Sequence, residues 1–410
     1  MKKKRIFIFA YYSYFDPVFQ SAVLPYFENL SERSDNSFVL LTFEQEKYRT
    51  NKKHRAEIKD YLKKHGIIWY NTNWHSGRFK ALKKIFDFLW GMLLAVYITL
   101  RYRVKGIYSE GFPGAIFGHY LCMLFQIPHM IHTFEPHTEY MVEGGVWNDN
   151  SWEAKFLRYH ETKMAQRASY IFTATNKMVD RLKEEFQSPA QIHRVPSCVD
   201  LDVFKFNETT RDSLRNKLQI KKEEIVIIYL GKFGGMYMDE EIFDFFKICH
   251  DHFPNTFRFI LLTPDDYEFV YDQLKRTSLP NDIFHINTVG REEVPKYLSA
   301  ADFGFVPVRQ YPSKRYCSPI KDGEYWACGL PILIPVGVSD DYKFAADEDI
   351  GLLLKNTSNE AYLEVANGVV AWMENRVVNE TRKRCRSFVE RDRSVENYKK
   401  LYLDIFSKLP

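Results

Sequence analysis

Residues 318–335 read SPIKDGEYWACGLPILIP, and the rest of the chain is read outward from them. Ser318 is a natural helix N-cap, and Pro319 suits the first helical position. Asp322 and Glu324 favour the first turns through the helix dipole. Gly329 sits where a helix ends, and Pro331 blocks its continuation. Residues 332–335 then form a short buried strand. A helix start of this kind leaves backbone N–H groups unpaired and is a ready anion site, with Lys321 adding a positive charge beside it. Glu324, one turn further in, can accept two hydrogen bonds from a vicinal diol such as a ribose. One short element thus offers a phosphate site and a sugar-hydroxyl site. The same residues also fit an ordinary capped helix with solvated charges.

A chain of 410 residues is too long for one ordinary core, so two domains are expected. The formal charge is only +4, and no nucleic-acid partner is expected. The charge is uneven, with 28 Lys+Arg against 20 Asp+Glu in residues 1–200. A basic amino-terminal half suits an anionic partner, either a membrane surface or a phosphorylated acceptor; a solvated basic face accounts for it equally. Six cysteines, at 122, 198, 249, 317, 328 and 385, form no CxxC pair and read as reduced thiols of a cytosolic protein. The start MKKKRIFIFA reads as a basic lead-in to a buried strand, not a signal peptide. The apolar run 85–100 contains Asp87 and Gly91 and reads as a buried helix rather than one at a membrane interface. Basic residues leading into it nevertheless suit a peripheral membrane contact.

Strand-length apolar runs fall at 5–10, 37–43, 67–70, 106–109 and 128–133, and again at 225–230, 257–262, 283–288 and 302–307, with helical patterns between them. This alternation is the signature of parallel sheets covered by helices. No GxGxxG follows the first strand, which argues against a dinucleotide-binding dehydrogenase. Glu110 opens a glycine-rich turn at the end of the fourth run, a ligand-lining position in a doubly wound sheet. Gly231, Lys232, Gly234 and Gly235 follow a β-branched strand directly, where glycines let backbone approach a ligand and Lys232 supplies charge. Thr263 ends the next strand, within reach of the same ligand. No DxD ends an obvious strand; Asp265-Asp266 and Asp340-Asp341 read as exposed turns.

Ser318, Pro319, Lys321, Glu324, Tyr325, Ala327, Gly329 and Pro331 together spell S-P-x-K-x-x-E-Y-x-A-x-G-x-P. This resembles the donor segment of a bacterial branch of the GT4-type glycosyltransferases. The resemblance implies the GT-B fold: α/β, two Rossmann-like doubly wound parallel-sheet domains facing a central cleft. Residues 194–204, RVPSCVDLDVF, resemble that family's interdomain linker, with Cys198 in place of a glycine. The implied domains are 1–204 for the acceptor, joined by a terminal helix at about 393–410, and 205–392 for the donor.

The resemblance also assigns roles. Ser318, Pro319, Ile320, Lys321 and Glu324, with Gly231, Lys232, Gly234, Gly235 and Thr263, would hold the nucleotide diphosphate. Val289 and Arg291 would frame its base. His137 and Glu135, with His132 as a weaker candidate, would stand by the reacting sugar, and Lys232 would neutralise the leaving group. Phe19, Gln20 and Glu110 would line the acceptor side, though Phe19 equally fits a core position. Tyr237 stands where a second cation is usual, which Lys314 or Arg315 would then supply. Tyr316 stands where the first acid of an E-x7-E pair is usual. The implied activity is transfer of a sugar from a nucleotide-diphosphate donor to a glycan or lipid-linked acceptor, in bacterial surface-polysaccharide biosynthesis. The resemblance implies retention. The absence of a strand-end DxD, with Lys232, Lys321 and the helix start for the diphosphate, points to a metal-independent site without a cofactor. The cysteines and the basic amino-terminal half point to a cytoplasmic protein peripheral on an anionic membrane. A catalytically silent nucleotide-sugar-binding or scaffold protein, or another GT-B enzyme such as a nucleotide-sugar epimerase, stays open.

Overall fold

The computed structural model of the chain describes residues 4–32, 36–75, 80–133, 135–264, 267–375 and 377–410. Met1 to Lys3 of the basic lead-in, Phe134, Asp265 and Asp266 lie outside them. The chain divides into two units, Met1–Pro196 with Val395–Pro410, and Ser197–Ser394.

The first unit runs β1 (Lys4–Ala10), α1 (Leu24–Glu32), β2 (Asn36–Glu44), α2 (Lys52–Lys64), β3 (Ile67–Asn73), α3 (Lys80–Tyr102), β4 (Gly106–Glu110), α4 (Gly111–Phe125), β5 (His129–Thr133), α5 (His137–Glu143), α6 (Trp152–Arg167), β6 (Tyr170–Thr173), α7 (Asn176–Glu184) and β7 (Gln191–Arg194). Its strands form one parallel sheet in the order β3-β2-β1-β4-β5-β6-β7. Strand β1 is apolar without alternation because it is buried on both faces, as a central parallel strand must be. The second unit runs α8 (Glu208–Lys217), β8 (Ile225–Leu230), α9 (Glu240–His252), β9 (Phe257–Leu262), α10 (Tyr267–Arg276), β10 (Phe284–Asn287), α11 (Val294–Ala300), β11 (Phe303–Phe305), α12 (Ile320–Ala327), β12 (Ile332–Pro335), α13 (Asp341–Asp347), β13 (Gly351–Leu354), α14 (Asn359–Asn375) and α15 (Val378–Asp392). Its sheet is β10-β9-β8-β11-β12-β13. The last helix, α16 (Val395–Ser407), belongs to the first unit, where Tyr402 and Phe406 pack on Phe172 and Phe38 and Lys4 Nζ donates to Ser407 O at 2.7 Å.

Both sheets are doubly wound. Each reverses strand order once, between β1 and β4 and between β8 and β11. Loops at the carboxyl ends of strands flanking such a reversal are where ligands bind in open α/β sheets.

Gly351 starts a strand paired with β12, where a Cβ would stand 2.5 Å from Ile332 O. Residues His137–Glu143 form α5. The buried helix expected at 85–100 is buried on one face only. Asp87, Gly91, Ala95 and Ile98 face the sheet, whereas Leu89 and Leu93 are more than half exposed.

Gly304 in β11 leaves room for the Tyr325 ring of α12: a Cβ there would lie 2.3 Å from Tyr325 Cδ2. Tyr325 is fully buried and held at its hydroxyl, so it cannot yield. Gly304→Ala is therefore expected to destabilise the second unit by about 1–3 kcal/mol, read as a lower denaturation midpoint. An unchanged midpoint would show that the ring has another place to go.

Candidate functional site

Helix α12 stands beside the strand reversal of the second sheet. Tyr325 Oη accepts from Leu230 N at 3.0 Å and donates to Phe305 O at 3.3 Å, joining the helix to the ends of β8 and β11. Trp326 Nε1 donates to Ile350 O at 3.1 Å. The helix starts from Pro319, and no side chain caps it. Ser318 is thus not the expected N-cap. Its Oγ accepts from Ser197 N at 3.1 Å, and its carbonyl accepts from Ser197 Oγ at 2.7 Å. The linker has taken the hydroxyl, so the first N–H groups of α12 keep their capacity for an anion. Cys198, where a glycine was expected, has no positive φ, so the turn needs no glycine.

Lys321 is buried in the first turn, and its Nζ has no hydrogen-bond acceptor among the described residues. It lies 3.9 Å from the ring centre of Tyr237 and 5.1 Å from that of Tyr229. Tyr237 thus places a π face, not a second cation, against the ammonium. Each such contact is worth about 0.5–2 kcal/mol, less than the several kcal/mol that burying an ion costs. Burial accordingly pushes the Lys321 pKa down to about 8, against the opposing pull of Asp322 and Glu324. Gly231, at φ +147°, opens the space above it: a Cβ there would stand 3.1 Å from Nζ. Gly234 and Gly235 also take positive φ in the loop that follows.

The other expected residues divide. Glu324 is buried and pairs with Arg291 at 2.8 Å, while burial raises its pKa. The Arg291 guanidinium also lies 5.0 Å from the Phe204 ring centre. Val289 packs partly into the core. Thr263 is buried, its N–H donating to Asn287 O at 3.0 Å and its carbonyl accepting from Thr288 Oγ1 at 2.7 Å. Lys232 is exposed, and its carbonyl accepts from Tyr229 Oη. Of the substitute cations, Lys314 is buried and Arg315 exposed.

Asp340 and Asp341 correct the sequence reading, because both are buried. Asp341 pairs with Arg393, a fully buried guanidinium that also donates to Ser197 O at 3.3 Å and Pro319 O at 3.2 Å. Burial lowers the Arg393 pKa, but Asp341 and Asp322 outweigh it and hold the cation charged. Asp322 is fully buried with Asp341 as neighbour, and its pKa rises well above the carboxylate range, first from burial and then from Asp341. Burial favours the neutral form of Asp322, while Arg393 has Asp341 as its ion-pair partner and Arg291 has Glu324. Lys321 Nζ has no such partner among the described residues.

In the first unit the reversal places Glu110 at the carboxyl end of β4. It is buried and lies 3.2 Å from His132 Nδ1 on β5. Burial raises the Glu110 pKa, and His132 opposes the shift. The Tyr12 hydroxyl, whose pKa rises through burial and then through Glu110, Asp16 and Glu135, belongs to the same surroundings. His137 opens α5 against Tyr140 and Trp147, and burial drops its pKa to about 4, so at neutral pH it is an uncharged imidazole. The acceptor-side role read for Phe19 is corrected: it is 1% exposed and packs on Tyr14 in the core. Gln20 is committed to the loop, its Nε2 donating to Tyr14 O at 2.6 Å. Sequence reading missed Tyr12, Arg393 and Glu161. Glu161 lies on α6, where helical periodicity gives no sign that a carboxyl points inward.

Among the described residues no three His, Cys, Asp or Glu side chains gather as a metal site.

Glu161 supplies a pH test. It is fully buried, and its pKa is pushed up to about 8 by burial and then by Glu139, with partial relief from the Thr138 N–H and Arg181. The folded chain therefore holds a proton that the unfolded chain releases near pH 4.5. Stability should fall as pH rises from about 4.5 to about 8, by at most about 5 kcal/mol. Glu161→Gln should flatten that part of the curve in urea unfolding at several pH values; an equal slope in both proteins would show that Glu161 does not carry it.

No family model matches the chain. It is 27% identical over 182 residues to the Bacillus subtilis (strain 168) protein TuaH, named as a teichuronic acid biosynthesis glycosyltransferase. That match covers 44% of this chain, and the chain spans less than half the length of that relative, 43%. Among solved structures, Anabaena Alr3699/HepE in complex with UDP superimposes with TM-score 0.73 at 12% identity, covering 99% of this chain and 100% of that one. Sucrose-phosphate synthase (tll1590) of Thermosynechococcus elongatus gives 0.73 at 16%, covering 98% and 99%. WaaG, a glycosyltransferase involved in lipopolysaccharide biosynthesis, gives 0.68 at 13%, covering 98% and 100%. Two doubly wound parallel sheets with these likenesses give the chain the α/β fold of the GT-B glycosyltransferases.

Proposed function

We propose that the chain is a GT4-type glycosyltransferase that moves a sugar from a nucleotide-diphosphate donor to a glycan or lipid-linked acceptor in bacterial surface-polysaccharide biosynthesis. One observation carries this reading: the buried Lys321 ammonium, without an acceptor, beside an uncapped helix start and under Gly231. A diphosphate supplies the missing acceptor. Its oxygens would sit on the α12 N–H groups and Lys321, with Lys232 reaching in from solvent. As the sugar–phosphate bond breaks, charge grows on the leaving diphosphate, and these fixed donors stabilise it without reorganising. That chemistry needs no metal or cofactor. Glu324 would exchange Arg291 for the ribose hydroxyls, leaving Arg291 and Val289 to the base.

In this reading the second unit binds the donor and the first binds the acceptor. Glu110 and Glu135, with the neutral His137 imidazole, would orient the acceptor hydroxyl. Retention of anomeric configuration follows the resemblance in residues 318–331. HepE was solved with UDP and with UDP-glucose, which makes a UDP-sugar the first donor to try. A cytoplasmic place at a membrane fits a lipid-linked acceptor. Tyr316, in place of the first acid of the pair, favours one alternative, a protein that binds nucleotide-sugars silently. Donor turnover that depends on an acceptor separates the two.

Melting in the presence of UDP, GDP, ADP, CMP and dTDP, with and without EDTA, tests the donor site. One nucleotide at about 100 times its Kd should stabilise the native state by about 2.7 kcal/mol, equally with EDTA. Glu324→Gln and Lys321→Gln should each raise that Kd by about 10- to 100-fold, the cost of losing a hydrogen bond to a charged group. Because the Lys321 pKa is about 8, affinity should also fall as pH rises past that value, and Lys321→Gln should remove the dependence. No shift with any nucleotide would refute the donor site, and a shift abolished by EDTA would refute metal independence.

A further inference from the structure

The segment between β8 and α9 is loop, and it has little local reason to hold one shape. Gly231, Gly234 and Gly235 all take positive φ in it. Glycines lose more conformational freedom on ordering than any other residue, so such a loop needs an anchor from elsewhere. Yet it brings the Tyr237 ring centre to 3.9 Å from the buried Lys321 Nζ.

The anchor is Arg309, shortly after β11, the strand beside β8. Its N–H donates to Met236 O at 3.0 Å, and its Nε donates to Tyr237 O at 3.0 Å. Its Nη2 donates to Asp239 Oδ1 at 2.6 Å, and its Nη1 donates to Glu241. Met238 N adds a bond to Pro307 O at 2.7 Å, and Tyr237 pairs with Val308 in an antiparallel bridge. Arg309 thus grips the chain before, at and after Tyr237. A planar guanidinium fork can do this, whereas a lysine ammonium is a point charge.

The place of that ring matters for charge. The electrostatic neighbours of Lys321 are Asp322 and Glu324 of its own helix, Cys317 just before it, and the rings of Tyr229 and Tyr237. Glu324 is taken by Arg291, and burial favours a neutral Asp322. Of the two rings Tyr229 is the farther, at 5.1 Å, and its hydroxyl donates to Lys232 O. A π face attracts an ammonium and still leaves its N–H groups to an incoming anion, which a carboxylate would not. We propose that Tyr237 is a working part of the diphosphate site, its ring holding Lys321 as an ammonium, and that Arg309 is the positioning residue that keeps the ring there. The proposal rests on the donor reading of the site, and goes beyond it in assigning Tyr237 and Arg309.

The test joins a readout without ligand to one with it. Competitive acetylation of the full chain across pH, quantified at Lys321 by mass spectrometry, follows the ionisation of this amine alone. Affinity for the nucleotide that stabilises the wild type, UDP first, follows the site. Tyr237→Leu keeps apolar cover over Lys321 but removes the π face, and should lower its ionisation midpoint by about one pH unit. From a wild-type midpoint of about 8, nucleotide binding should then weaken about fivefold at about pH 8 and less than about twofold at about pH 6.5. Tyr237→Phe should match the wild type. Arg309→Gln should also lower the midpoint, although removing a cation would by itself raise it, and should add nothing in the Tyr237→Leu background. An unchanged midpoint in Tyr237→Leu, or a nucleotide loss equal at both pH values, would overturn the role of Tyr237. A raised midpoint in Arg309→Gln, or an equal shift in both backgrounds, would overturn that of Arg309. A wild type that binds none of UDP, GDP, ADP, CMP and dTDP, with a midpoint that still follows Tyr237, would overturn the donor reading alone.

Discussion

Arg393 is the constraint on which the second unit depends. Its guanidinium is fully buried, paired with Asp341, and donates to the carbonyls of Ser197 and Pro319. One side chain near the end of the unit thereby fixes the unit's first residue, the loop entering α12 and the start of α13. Gly323 lets it pass, since a Cβ there would stand 3.1 Å from Arg393 Cδ. Removing one partner of a buried pair leaves an uncompensated charge and costs about 3–5 kcal/mol, so the arrangement is difficult to loosen piecemeal. The position of the α12 N-terminus follows from it.

The electrostatics of the candidate site grow from the same pair. Two buried acids share one guanidinium, and burial favours a proton on Asp322. Burial outweighs Asp322 and Glu324, which pull the Lys321 pKa upward. The lysine is left with the faces of Tyr237 and Tyr229, which attract an ammonium but accept no hydrogen bond from it. A site of this kind is held short of an anion by its own framework. Electrostatic preorganisation takes this form when donors are fixed before the ligand arrives.

The first unit distributes its polar groups differently. Glu110 and His132 face each other across adjacent strands at the sheet's reversal, with the Tyr12 hydroxyl in the same electrostatic surroundings. On the helical side of the same sheet, the outer face of α3 is apolar with basic ends. Polar chemistry at the strand ends follows from the doubly wound sheet, whose ligand-lining loops lie there, whereas the apolar outer face of α3 does not, because covering the sheet requires only the inner face.

Much of the fold was legible in the chain itself. Uninterrupted apolar runs such as residues 5–10 and 225–230 announce parallel strands, and the glycines at 231, 234 and 235 announce close backbone approach. The stretch 318–335 announced its helix, its stop and its strand. What failed there was the cap, because a serine hydroxyl bonds either its own helix or a distant N–H, and Ser197 is 121 positions away. For Phe19 the structure decides between two open readings, since an aromatic residue in a loop and one in a core read alike in sequence. The sequence by itself determined the periodicities and the glycine and proline punctuation, which are local properties of backbone and solvent. Tertiary structure alone decided which charges meet: the burial of Asp341 and Arg393, the solitude of Lys321 and the bareness of the α3 outer face. Those depend on desolvation and on neighbours remote in the chain, and no spacing in the sequence records them.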